Sequence, residues 1–112
     1  MNIPSQIESS EMLGLKPEHL EKVMRVFRQH PDIKEVKVYG SRAKGSFRKG
    51  SDIDLAFIGV GLNHRQIIRI GRELDDLMLP YTFDLTDYGS ITNKALIDHI
   101  DRAGKVLYRQ CP

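Results

Sequence analysis

The sequence predicts an α/β (α+β) domain, a small mixed β-sheet with helices mostly on one face. Apolar residues recur at helical spacing in three segments, short alternating stretches lie between them, and Gly or Pro punctuates nearly every junction. A chain of 112 residues has the size of one domain with one core. Little length is left for a separate substrate-binding module, so a second reactant is expected on another molecule.

Residues 1–15, MNIPSQIESSEMLGL, carry acidic side chains and no continuous apolar run, so neither a signal peptide nor a membrane span is expected there. They are expected to form a flexible arm ahead of a single domain over 16–112. Pro17 suits a first helical turn; Leu20, Val23, Met24 and Phe27 share one helix face, and Pro31 closes the segment. Ile33 to Tyr39 alternates as a half-buried strand does and stops at Gly40. Asp54 to Ile58 predicts a second strand after a turn-rich passage. Asn63 can cap a helix with an apolar stripe of Ile67, Ile70, Leu74, Leu77 and Met78, ended by Pro80. Tyr81 to Thr86 follows as a third strand. Ser90 or Thr92 can start a last helix through Leu96, Ile97, Ile100 and Ala103, with Gly104 as its stop and Val106 to Tyr108 as a short final strand. With the helices gathered on one face, the other face is expected to be open for chemistry.

The charge balance, 17 Lys+Arg against 15 Asp+Glu for a net +2, is too even to argue for a nucleic-acid or membrane partner. A lone Cys111 cannot form an internal disulfide and lacks the neighbours of a thiolate nucleophile, so a reducing, cytoplasmic setting is expected.

The chemistry concentrates in Tyr39 to Leu55, YGSRAKGSFRKGSDIDL. Strand alternation projects Asp52 and Asp54 from one face while Ile53, Leu55 and Phe57 enter the core. Two carboxylates about 7 Å apart repel unless a cation or solvent lies between them, and a hard ion such as Mg²⁺ accepts one or two carboxylates with water and phosphate oxygens. In Tyr81 to Thr86, YTFDLT, alternation places Asp84 opposite the core, where it can face the same side. Asp87 competes for that role but falls at the turn before Gly89; Asp75 and Asp76 look like the solvated side of the middle helix. Gly40 lets the backbone approach a ligand closely, Ser41 adds a hydroxyl donor, and Arg42 and Lys44 lie nearest to neutralise phosphate, with Arg48 and Lys49 beyond.

Other patterns carry less. Gly45 to Ser51 has the glycine spacing of a phosphate-binding P-loop but lacks its Lys and ends at a strand. Gly59-Val60-Gly61 lacks the third glycine of a dinucleotide fingerprint and reads as a connecting turn. His19, His30, His64 and His99 have no ligand-spaced partner, which predicts surface or boundary roles.

Gly40-Ser41-Arg42-Ala43-Lys44-Gly45 followed by Ser51-Asp52-Ile53-Asp54-Leu55 resembles the signature of the DNA polymerase beta-like nucleotidyltransferases, most of all their minimal prokaryotic branch. The resemblance implies that Gly40 and Ser41 bind nucleotide phosphates, that Asp52, Asp54 and Asp84 hold Mg²⁺ and carry catalysis, and that Arg42 and Lys44 assist; Lys44 stands where many members have Arg. It further implies ATP as substrate and an all-helical HEPN protein as partner, the pair acting as toxin and antitoxin with AMP added to a toxin tyrosine. Transfer to a small molecule such as an aminoglycoside, or neutralisation of a helical partner by binding alone, are the alternatives.

Overall fold

The computed structural model describes residues 14–40 and 52–110. The expected N-terminal arm therefore lies largely outside the described residues, as do Ser41, Arg42, Lys44 and Cys111.

Helix α1, Pro17–Arg28, opens with Pro in its first turn, carries Glu18 near its N-terminus and Arg25 and Arg28 near its C-terminus, and so complements the helix dipole. It buries Leu20, Val23, Val26 and Phe27. Strand β1, Glu35–Tyr39, and strand β2, Ile53–Ile58, pair antiparallel, with Tyr39 opposite Asp54. Helix α2, His64–Asp75, begins at the Asn63 cap: the Asn63 side chain accepts from the Gln66 N–H while the Gln66 side chain accepts from the Asn63 N–H. The glycine turn before it is structural, since a Cβ on Gly59 would overlap the Asp32 carbonyl.

The predicted stripe of α2 holds for Ile67, Ile70 and Leu74 and fails at Met78. The helix stops at Asp75, and Met78 takes a left-handed conformation (φ 57°) that leaves its side chain 86% exposed. Strand β3, Phe83–Asp87, starts two residues later than expected and runs parallel to β2. A 3-10 turn over Tyr88–Ser90 then delays the last helix, so its cap is Asn93 and neither Ser90 nor Thr92; the Asn93 side chain accepts from the Ala95 and Leu96 N–H groups. Helix α3, Lys94–Ala103, leads to strand β4, Lys105–Arg109, which pairs antiparallel with β1. The mixed sheet has the order β3-β2-β1-β4.

The main core fills the space between one sheet face and helices α1 and α2. Phe27 and Phe57 meet there edge to face, with Val36, Val38, Leu55, Ile70 and Leu74 around them. Helix α3 lies against the opposite face, where Ile100 packs with Tyr39 and Ala56. Among the described residues, two of the three helices share a face, as expected, but the other face is only partly open. An amphipathic pattern shows that α3 has an apolar side and does not say which face of the sheet it covers.

Candidate active site

Alternation puts Tyr39 of β1, Asp54 and Ala56 of β2, and Asp84 and Thr86 of β3 on the face that α3 partly covers. Asp54 and Asp84 are direct partners in the parallel register. Burial, then the charges of Asp84 and Asp52, then hydrogen bonding with Asp84 push the Asp54 carboxyl up from its ordinary range. A carboxyl pair in contact needs a shared proton or a cation. Asp52, just before β2, is exposed and adds to the same field. The structure thus brings Asp54 and Asp84 together on one side of the sheet, with Asp52 near enough for its charge to act on Asp54. Asp87 behaves as the turn residue it was read to be, ending β3 and accepting from the Gly89 N–H at 3.1 Å.

Gly40 is required by the geometry around Asp54. It takes φ +76°, a left-handed conformation costly for other residues, and a Cβ there would overlap Asp54 Oδ2. The turn after β1 and the carboxylate of β2 approach each other only because position 40 lacks a side chain. Ser41, Arg42 and Lys44, assigned to phosphate binding from the sequence, fall outside the described residues.

Two further side chains at the site, Tyr39 and Thr86, were given no role from the sequence, and a third, His99, was expected only at the surface or a boundary. The Tyr39 hydroxyl and Thr86 Oγ1 lie 3.1 Å apart, joining β1 to β3 across the face of β2. Burial raises the Tyr39 phenol above its ordinary pKa; its bond to Thr86 opposes that, and Asp54 and Asp84 add to it. The imidazole of His99 reaches the site from α3: its Nε2 accepts from the Gly40 N–H at 3.4 Å, and its ring stands edge-on to Tyr39 with centroids 6.1 Å apart. His19 and His30 fit the boundary reading, bonded to the Tyr81 hydroxyl at 2.8 Å and to Glu73 at 2.7 Å.

Among the described residues, no three His, Cys, Asp or Glu side chains converge as a ready-made metal cage. The Asp54–Asp84 contact nevertheless suits a hard divalent cation: the donors are all carboxylate oxygens, they repel when ionised, and Mg²⁺ needs only one or two protein carboxylates when a phosphate supplies the rest. A groove of about 530 Å³ runs along the other side of β3 against α2, floored by Ile67, Phe83 and Leu85. Its Thr86 wall is shared with the carboxylate face.

The family model for the polymerase beta nucleotidyltransferases matches residues 21–111. No curated protein matches the chain. Among solved structures, a chain of a toxin–antitoxin complex with AMP-PNP is similar at 22% identity and a TM-score of 0.68, over 81% of this chain and 73% of that one. A chain of the MntA–HepT toxin–antitoxin matches at 20% and 0.62, over 85% and 74%. So does a chain from a tri-AMPylated Shewanella oneidensis HEPN toxin in complex with its MNT antitoxin, at 20% and 0.62, over 83% and 71%. At such identities the likeness is one of fold. No helix among the described residues is long and apolar enough to cross a membrane.

Proposed function

Because the chain belongs to the polymerase beta nucleotidyltransferase family, we propose that it transfers AMP from ATP, with Mg²⁺, to a tyrosine hydroxyl of an all-helical HEPN partner, and so serves as the antitoxin of a cytoplasmic pair. The observation that carries this reading is the juxtaposition of Asp54 and Asp84 on neighbouring parallel strands, with the charge of Asp52 acting on Asp54. The solved neighbours support it at the level of partner and nucleotide, since one is a toxin–antitoxin complex with AMP-PNP and another contains a tri-AMPylated HEPN toxin.

In the proposed reaction the acceptor oxygen attacks the α-phosphorus, a new P–O bond forms, the bond to the bridging α–β oxygen breaks, and pyrophosphate leaves. Asp54 and Asp84 would hold the metal with Asp52 completing the acidic flank. Bound there, Mg²⁺ would neutralise phosphate charge and orient the triphosphate. Asp84 would take the acceptor's proton. Gly40 keeps the turn close to Asp54, and Ser41, Arg42 and Lys44 are assigned to the phosphates on the motif alone. Positioning and charge neutralisation supply most of the rate in such a transfer.

The test is to co-purify the chain with the all-helical product of the adjacent reading frame and follow label from α-labelled ATP. The expected result is label on a partner tyrosine, reduced about a hundredfold or more by Asp54→Asn or Asp84→Asn, the scale on which one key electrostatic group acts. Unlabelled partner under every nucleoside triphosphate, with the complex intact in both variants, would overturn transfer and leave neutralisation by binding.

A further inference from the structure

Helix α3 reaches the carboxylate face with one polar side chain aimed at the backbone of the site. Ile100, fully buried against Tyr39 and Ala56, fixes the rotation of the helix and thereby directs its neighbour His99. The Gly40 N–H points at His99 Nε2, 3.4 Å away. With an N–H as its donor, Nε2 is the acceptor and the ring proton is assigned to Nδ1. The imidazole also stands edge-on to Tyr39, the ring planes 80° apart, and Tyr39 is tied in turn to Thr86.

Gly40 has no side chain with which to anchor itself, and glycine is the residue whose backbone is least restricted by its own chemistry. Its left-handed conformation brings position 40 against Asp54, so an outside group must select it. Tyr39 secures the preceding residue through burial, and the bond to Nε2 secures the amide itself. We infer that His99 is a positioning residue for nucleotide binding, holding the Gly40 backbone in register with Asp54 and Asp84 through Nε2. The ligand in this inference rests on the nucleotidyltransferase reading; the hydrogen bond does not. At 3.4 Å the bond is long, and its leverage comes from where it acts.

Two substitutions separate the acceptor from the ring. His99→Phe keeps an aromatic edge for Tyr39 and removes the acceptor, whereas His99→Gln removes the ring and keeps a side-chain oxygen of comparable reach. ATP affinity is measured by calorimetry in the presence of Mg²⁺, and the Gly40 amide is followed by ¹H–¹⁵N NMR without nucleotide. His99→Phe is expected to weaken ATP binding about fivefold, the worth of one neutral hydrogen bond, with an upfield shift of the Gly40 proton and a little-changed melting temperature. His99→Gln is expected to stay within about twofold of the parent, since an accepting group remains. Unchanged ATP affinity and an unmoved Gly40 resonance in His99→Phe would overturn the inference, as would a loss confined to His99→Gln, which would assign the effect to ring packing against Tyr39. If the parent chain binds no ATP, the nucleotidyltransferase reading and the nucleotide consequence fall together, and the Gly40 shift still decides whether His99 holds the turn.

Discussion

Asp54 is stabilised as a carboxyl and opposed as a carboxylate. Burial and the nearby charges of Asp84 and Asp52 raise its pKa above the ordinary 3.8. A raised folded-state pKa means that the native chain holds this proton more tightly than the unfolded chain does, so the associated stability is fully present below the ordinary value and is lost as pH rises through the folded value. At neutral pH and without metal, Asp54 is therefore a liability to the fold. Asp54→Asn is expected to raise the midpoint of urea unfolding at pH 7 in EDTA, with an advantage that shrinks as the pH falls toward 3.8. A parent and variant of equal stability at neutral pH would contradict this account. Gly40→Ala should do the opposite. The left-handed φ costs an alanine about 1–2 kcal/mol, and displacing the Asp54 carboxylate adds to that, so a loss of about 2 kcal/mol is expected in the same assay. The aspartates were legible in the sequence because strand alternation is a local rule with period two. The reason for Gly40 lies at Asp54, and the placement of His99 lies 59 residues from Gly40; no local rule spans either separation.

Helix α2 sets the register between the two aspartates, because it is the crossover that returns the chain to lie parallel beside β2. Its start is secured by the reciprocal Asn63–Gln66 capping bonds. Asn63→Ala is expected to cost about 1 kcal/mol of stability, read as a lower urea midpoint with an unchanged slope. Nucleotide affinity of the folded fraction should hold, because the apolar contacts of Ile67, Ile70 and Leu74 still dock the helix. The caps also show what a sequence conveys about an element. Asn63 was legible as a cap because polar residues precede a long apolar stripe. Asn93 was not, because Ser90, Thr92 and Asn93 all have cap chemistry and the 3-10 turn at Tyr88–Ser90 decides among them. Met78 was misplaced for a related reason: its spacing continues the stripe, and only the left-handed turn after Asp76 carries it into solvent.

At the scale of the molecule, the sheet order β3-β2-β1-β4 places the parallel pair that carries Asp54 and Asp84 to one side and the β1–β4 pair to the other. The number and order of elements follow from hydrophobic periodicity, which each segment carries in itself. The covering of the second face by α3 depends on which layer that helix joins, and periodicity is the same for either. That covering leaves the acidic pair beside a buried cluster of Tyr39, Ala56 and Ile100, where charge is held by a firm support. A ligand that relieves the repulsion should therefore stabilise the whole domain, since ligand binding to the native state alone adds to its stability by mass action. At a hundred times its dissociation constant, Mg²⁺-ATP is expected to add about 2.7 kcal/mol. For a domain of this size that raises the melting temperature by about 10 °C or more. EDTA should remove most of the shift by leaving ATP without its cation, and Asp84→Asn should reduce it even with Mg²⁺ present, because one of the two touching carboxylates is gone. A shift of equal size in EDTA, or one that survives Asp84→Asn in full, would place nucleotide binding away from the acidic pair and separate the carboxylate contact from the chemistry assigned to it.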